Sequence, residues 1–186
     1  MLNKIKFDIF PLVRYLVIFG VAAFVLTVFF SILSYGGYNF FGQFISELGI
    51  GKTALMFNLG LILSAILMLP LSILLWDKNS FLLKAASIVS FISFFALVGI
   101  GVFPMDQMPM HYYSAIIFFV LIATTIFCIC VGDLLNKKTK YAFFGFVSFL
   151  AVVIFIVNNE FQYLQKIAVF FILLWVITRV FESKEK

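Results

Sequence analysis

TALMFNLGLILSAILMLPLSILLWDKNSFLLKAASIVSFISFFALVGIGVF, residues 53–103, is two long apolar runs parted by one short polar stretch. The first run, Thr53 to Trp76, carries no charge. A hydrocarbon layer about 30 Å thick takes roughly 20 helical residues to cross, so each run is long enough to span a membrane. Asp77, Lys78, Asn79 and Ser80 leave room only for a tight turn, which makes the two spans antiparallel neighbours.

The same pattern continues in both directions. Spans are expected at about 11–35, 53–76, 81–103, 111–131, 141–157 and 161–181, so residues 1–186 read as one all-α, polytopic membrane domain of six transmembrane helices. Pro11 suits a first helical turn, and Gly36 and Gly37 end the first span. That first run is too long for a signal-peptide core and lacks a small-x-small cleavage site. It is expected to be retained, with the chain beginning at or near Met1. The sixth span is the weakest: only Ile167 to Thr178 is free of charge, about 18 Å of helix. Lys166 and Arg179 bound it, and their stems are expected to snorkel to opposite interfaces.

Composition agrees with a chain whose solvent is lipid, at 65% hydrophobic and 11% charged residues. The loops are too short to hold a soluble domain. The excess of 13 Lys+Arg over 8 Asp+Glu lies beside the apolar runs, which points to membrane orientation and not to nucleic acid. Lys4, Lys6, Arg14, Lys78, Lys84, Lys137, Lys138, Lys140, Arg179, Lys184 and Lys186 fall on the side of both termini, against Lys52 and Lys166 on the other. By the positive-inside rule both termini are cytoplasmic, and a multi-pass protein of the cell membrane is expected. Cys128 and Cys130 are two apart on a helix and point to different faces, so they cannot bridge each other.

The unusual residues belong to the outer side. In the first outer connection Phe40, Phe41, Phe44, Ile45 and Leu48 recur at helical spacing, with Gln43, Ser46 and Glu47 opposite them. A short interfacial helix is expected from Asn39 to Leu48, stopped by Gly49 and Gly51. In the second, Pro104 and Pro109 break the helices and leave Asp106 near His111, the only histidine. The third carries Asn158, Asn159 and Glu160, followed by Gln162, Gln165 and Lys166, while Asn58 lies just below the outer end of span two. Glu47, Asn58, Asp106, His111, Glu160 and Lys166 would converge on one outward pocket if the bundle closes.

Each of these has a plainer reading. Asp106 capping a helix or sealing a hairpin with His111 is the commoner role for such a pair, and Glu160 and Lys166 sit where interfacial ion pairs are ordinary. Ser87, Ser90 and Ser93 share one helix face, which suits close helix contact. Asp133 and Lys137, four apart, read as a helix-surface ion pair. A single histidine excludes a multi-histidine metal site, no cofactor motif is present, and phosphate-loop, HExxH and GxSxG patterns are absent.

With these segments in view, the chain resembles a family of small prokaryotic integral membrane proteins catalogued as domain of unknown function 998. The resemblance rests on SYGGY at 34–38, ISELGIG at 45–51, FNLG at 57–60 and GVFPMD at 101–106 with His111 just after it. Gly36 stands where the family's first motif leads one to expect proline. The ISELG-then-FN pattern is also similar to the outer loop of the Frag, DRAM and Sfk group of six-span proteins, and that likeness implies a role in lipid handling or membrane organisation.

The leading expectation is a protein that recognises lipid or a membrane partner through its extracytoplasmic face, with Ser46, Glu47, Asn58, Asp106 and His111 as ligand-binding candidates. The alternatives are an intramembrane enzyme on lipid head groups, with Asp106 and His111 as acid/base pair and Glu47 orienting them, or an accessory subunit of a larger membrane complex. The absence of strong catalytic patterns favours the non-enzymatic reading. Membrane lipids and other membrane subunits are the expected partners; nucleic acid is not.

Overall fold

The structure, a computed structural model, describes residues 9–182. Lys4, Lys6, Lys184 and Lys186 of the charge tally lie outside the described residues. Helix α1 (Phe10–Tyr35) has Pro11 in its first turn and ends at Gly36, whose left-handed φ of 76° stops the helix. Helices α2 (Ala54–Met68) and α3 (Leu71–Leu75) form the second span. Then follow α4 (Phe81–Val102), α5 (Met110–Leu135), α6 (Thr139–Val157) and α7 (Gln162–Glu182). Among the described residues, six helical segments are long and apolar enough to cross a membrane. Successive spans pack side by side and α7 returns to α1, closing them into a ring.

The second span, expected as one helix, is broken at Leu69 and Pro70. Proline has no N–H to continue the ladder, so Leu69 N–H is shared between the carbonyls of Ala65 and Ile66, and the chain restarts with Ile73 N–H on Pro70 O at 2.9 Å. The short α3 beyond the break packs against α1, α4 and α7. Leu71 is fully buried there, closing the centre of the ring. Ser87 on α4 donates to Ser72 O at 2.6 Å, so the serine face does serve close helix contact.

At the end that carries the termini, α7 is tied to α5 and α6 by charge. Arg179, 3% exposed, donates through Nη1 to Asp133 at 2.6 Å and lies 2.8 Å from Glu182, which also pairs with Lys138. Its guanidinium stands 5.1 Å from the Tyr141 ring centroid. Two expectations are corrected here. Asp133 pairs with Arg179 and not with Lys137, because Lys137 has left the helix with φ 58°. Arg179 and Lys166 do not snorkel outward; both are buried and turned to partners inside the protein, since a charge next to hydrocarbon gains more from a fixed counter-group than from a distant interface.

At the opposite end, residues 36–53 fold over the ring as a cap. The single helix expected from Asn39 to Leu48 is replaced by a turn at 40–42 and a 3-10 helix at Ile45–Gly49, followed by another at Gly51–Thr53. The reason lies in competing side chains. Asn39 Oδ1 accepts from the amides of Phe41 and Gly42, Gln43 Oε1 accepts from Asn39 N–H, and Glu47 Oε1 accepts from Phe44 N–H at 2.7 Å. Phe44 is extended as a result, which ends any α-helical run. Of the expected apolar face, Leu48 is fully buried whereas Phe40 and Phe41 are exposed.

The spans fasten this cap. Thr53 Oγ1 donates to Leu48 O at 2.6 Å and Asn58 Nδ2 to Gly49 O at 3.0 Å. From α7, Gln165 Oε1 accepts from Ile45 N–H at 2.6 Å, and Lys166 Nζ donates to the carbonyls of Gln43 and Gln162. Gly49 has no room for a side chain, because a Cβ there would stand 2.5 Å from Asn58 Oδ1.

Two outcomes follow for stability. Asp133→Ala leaves the buried guanidinium with Glu182 alone and is expected to cost about 1.5–3 kcal/mol, the value of a hydrogen bond to a charged group, read as a lowered melting temperature in detergent; Asp133→Leu with Arg179→Met should recover most of it. Equal losses from the single and double variants would show that the pair does not act as a unit. Burial, with smaller contributions from Glu47 and Tyr35, pushes the Tyr38 phenol from 10.0 up to about 12. Its raised pKa stabilises the fold below pH 10 and that contribution is lost as pH rises towards 12. Ultraviolet titration of the protein against Tyr38→Phe should show the missing phenol as one that ionises late; one ionising near 10 would contradict the packing of the cap.

Candidate functional site

Beneath the cap, the ring encloses a cavity. Its deep part runs from Ile45 and Ser46 down past Phe57, Leu61 and Phe94 to Met68, Ile172 and Leu173, and it holds about 60 Å³ for the centre of a water-sized sphere. Its mouth, about 220 Å³ by the same measure, lies between the start of α5, the end of α6 and the cap, with Met108, Tyr112, Ile156 and Asn159 around it. Ser46, His111, Ala115, Phe119 and Gln165 line both parts. Every span except α6 contributes to the deep part; α6 enters only at the mouth, through Phe155 and Ile156.

The polar groups at the junction are few and specific. His111, 7% exposed, has its Nδ1 2.8 Å from Phe103 O. A carbonyl can only accept, so Nδ1 carries the hydrogen and, in the neutral ring, Nε2 is an acceptor. Gln165 uses its Oε1 on the cap, which leaves its NH₂ without a protein partner among the described residues. Ser46 Oγ points its hydrogen at Met105 Sδ over 3.6 Å, a weak bond that a better acceptor would replace. With the His111 ring neutral, the junction therefore offers one acceptor and two donors. Lys166 is close in sequence but already engaged with two carbonyls, and its ammonium stands 5.6 and 5.2 Å from the ring centroids of Tyr38 and Phe40.

The candidate residues divide. Ser46 and His111 come together on the cavity. Glu47 faces away into a shallow recess with Tyr35, Ile50 and Lys52, and its carboxylate is held by Phe44 N–H and by Gln43 Nε2 at 3.0 Å. Asn58 is a cap fastener. Asp106 is exposed, and among the described residues no ion pair joins it to His111. Glu160 is exposed as well. An acid/base pair of Asp106 and His111 oriented by Glu47 is therefore not the arrangement in this structure.

Sequence reasoning passed over Gln165 as a cavity residue and Met105 as the partner of Ser46. Gln165 carried a usable signal, since an amide at the start of a weak span, beside a lysine, has to find partners. Met105 carried none.

The pattern defining the family described as protein of unknown function DUF998 matches residues 18–181, from within α1 to the last turn of α7. No curated protein and no solved structure matches the chain. By that match over most of its length, the chain belongs to the DUF998 family of proteins of unknown function.

Proposed function

We propose that this membrane protein recognises a lipid by taking part of it into the cavity beneath the cap. The observation that carries this reading is the cavity's division into an apolar depth and a small polar junction formed by Ser46, His111 and Gln165. An apolar pocket with a few fixed polar groups suits a ligand that is itself apolar along most of its length. The mouth is flanked by exposed Met108 and Tyr112, so a lipid could enter from the side without crossing bulk water. The charge tally supports a cell-membrane protein with both termini in the cytoplasm and the cavity towards the outer leaflet.

Purification in mild detergent, followed by extraction and quantification of bound lipid, tests the reading. His111→Ala and Ser46→Ala should each lower retention about threefold to tenfold, the value of one hydrogen bond. Lys140→Ala alters an exposed residue at the other end of the bundle and should leave retention unchanged. Equal effects from His111→Ala and Lys140→Ala would sink the proposal.

Orientation has its own test. In a chain with Cys128 and Cys130 replaced by serine, cysteines placed at Asn79 and Thr139 should resist an impermeant thiol reagent applied to intact cells. One placed at Lys52 should react. The reverse pattern would invert the topology.

A further inference from the structure

The shape and chemistry of the cavity, on the reading that it holds lipid, also specify which lipid. On α7 the stretch from Gln165 to Leu173 rises about 12 Å, and on α2 that from Phe57 to Met68 about 16 Å, at 1.5 Å per residue. The deep part's small volume of about 60 Å³ over that depth makes it a narrow bore, walled by Phe57, Leu61, Phe94 and Val169. One methylene chain fits such a bore; two chains side by side, or a ring, do not. A zigzag of bonds near 1.5 Å advances about 1.25 Å per carbon, so the depth corresponds to about ten to twelve carbons.

The floor is firm. Met68 is 2% exposed and Ile172 4%, and directly beyond them Leu71, Trp175 and Val176 are fully buried. The break at Pro70 brings α3 against α7 at this level, which closes the bore from below. A longer chain has nowhere to go without displacing packed side chains.

The head follows from the junction. Gln165 NH₂ and Ser46 Oγ–H are donors for a carbonyl or ether oxygen, and His111 Nε2 is an acceptor for a hydroxyl. Among the described residues neither a lysine nor an arginine lines the cavity, and the nearby Lys166 ammonium is turned to the Gln43 and Gln162 carbonyls. A phosphate or carboxylate brought here would lose its hydration without a counter-charge.

We infer that the protein selects a single-chain lipid with an uncharged head bearing both a carbonyl and a hydroxyl, such as a monoacylglycerol, and that Met68 and Ile172 measure its chain. Native mass spectrometry of the full chain released from detergent tests this against saturated 1-monoacylglycerols from hexanoyl to octadecanoyl. Fatty acids and lysophosphatidic acids of matching lengths form the second and third ladders. Monoacylglycerol adducts should peak at about ten to twelve carbons and exceed the anionic ladders by about tenfold. Ile172→Ala should move the peak longer and Ile172→Phe shorter.

Retention that ignores chain length in the unaltered protein, or the same peak in folded Ile172 variants, would overturn the ruler while leaving lipid recognition standing. Anionic lipids retained as well as monoacylglycerols would overturn the assignment of the head. The absence of adducts from all three ladders, together with no co-purifying lipid, would overturn both this inference and the function it rests on. The ladders on the unaltered protein need no substitution, so a variant that failed to fold would not shield the proposal.

Discussion

Hydrocarbon offers no hydrogen bonds, so any backbone that leaves a helix near the membrane must be satisfied from within the protein. Residues 36–53 are such a backbone, and the rest of the bundle is arranged to meet their needs. Thr53 and Asn58 reach back from the second span to the carbonyls of Leu48 and Gly49, while Gln165 and Lys166 reach across from α7 to Ile45 N–H and Gln43 O. The second span and α7, the two neighbours of α1 in the ring, are thereby joined through the cap. Without those bonds the 3-10 turns would have no reason to lie over the cavity, because a stretch this short has little helical stability of its own.

The other end of the ring solves a different problem with the same economy of polar groups. Arg179 is nearly inaccessible, and its two carboxylate partners come from α5 and from its own helix. Paired burial of this kind contributes little net stability, yet it penalises any arrangement that separates the partners. Charge thus ties α7 to α5 at this end, and the cap fasteners tie α7 to the second span at the other. Between the two, the apolar layer of Leu71, Ile122, Ile126 and Trp175 is packed without polar help. The cavity survives above that layer because the cap holds the helix ends, and nothing below needs to fill it.

The six spans were legible in the sequence because length and hydropathy alone determine whether a segment can cross a membrane. Helix ends were legible where a residue has only one good use, as at Pro11 and Gly36. What could not be read was which polar group meets which. Asp133 has Lys137 four residues away, but its partner lies 46 residues further along, brought near by ring closure. Local spacing also suggested an α-helix at Asn39–Leu48, whereas Asn39, Gln43 and Glu47 use their side chains on nearby amides and hold the chain in turns. Pro70 lies inside a charge-free run whose hydropathy alone reads as one unbroken helix, yet its missing N–H interrupts the ladder there.

The motifs that mark the family take on a structural meaning from this arrangement. In ISELGIG, Glu47 anchors Phe44 N–H, Gly49 makes room for Asn58, and Leu48 fills the space beneath the cap. In FNLG, Asn58 returns the bond to Gly49, and Gly60 lets α2 approach Thr27 so closely that a Cβ would stand 2.1 Å from its hydroxyl. These residues describe how a cavity is roofed and its walls drawn together. Ile45 and Ser46 of ISELGIG, Phe57 of FNLG, and Met105 of GVFPMD with His111 just after it line the space itself. The motif residues therefore roof the cavity and form its upper wall, while Leu61, Met68 and Ile172, which lie outside every motif, line its depth.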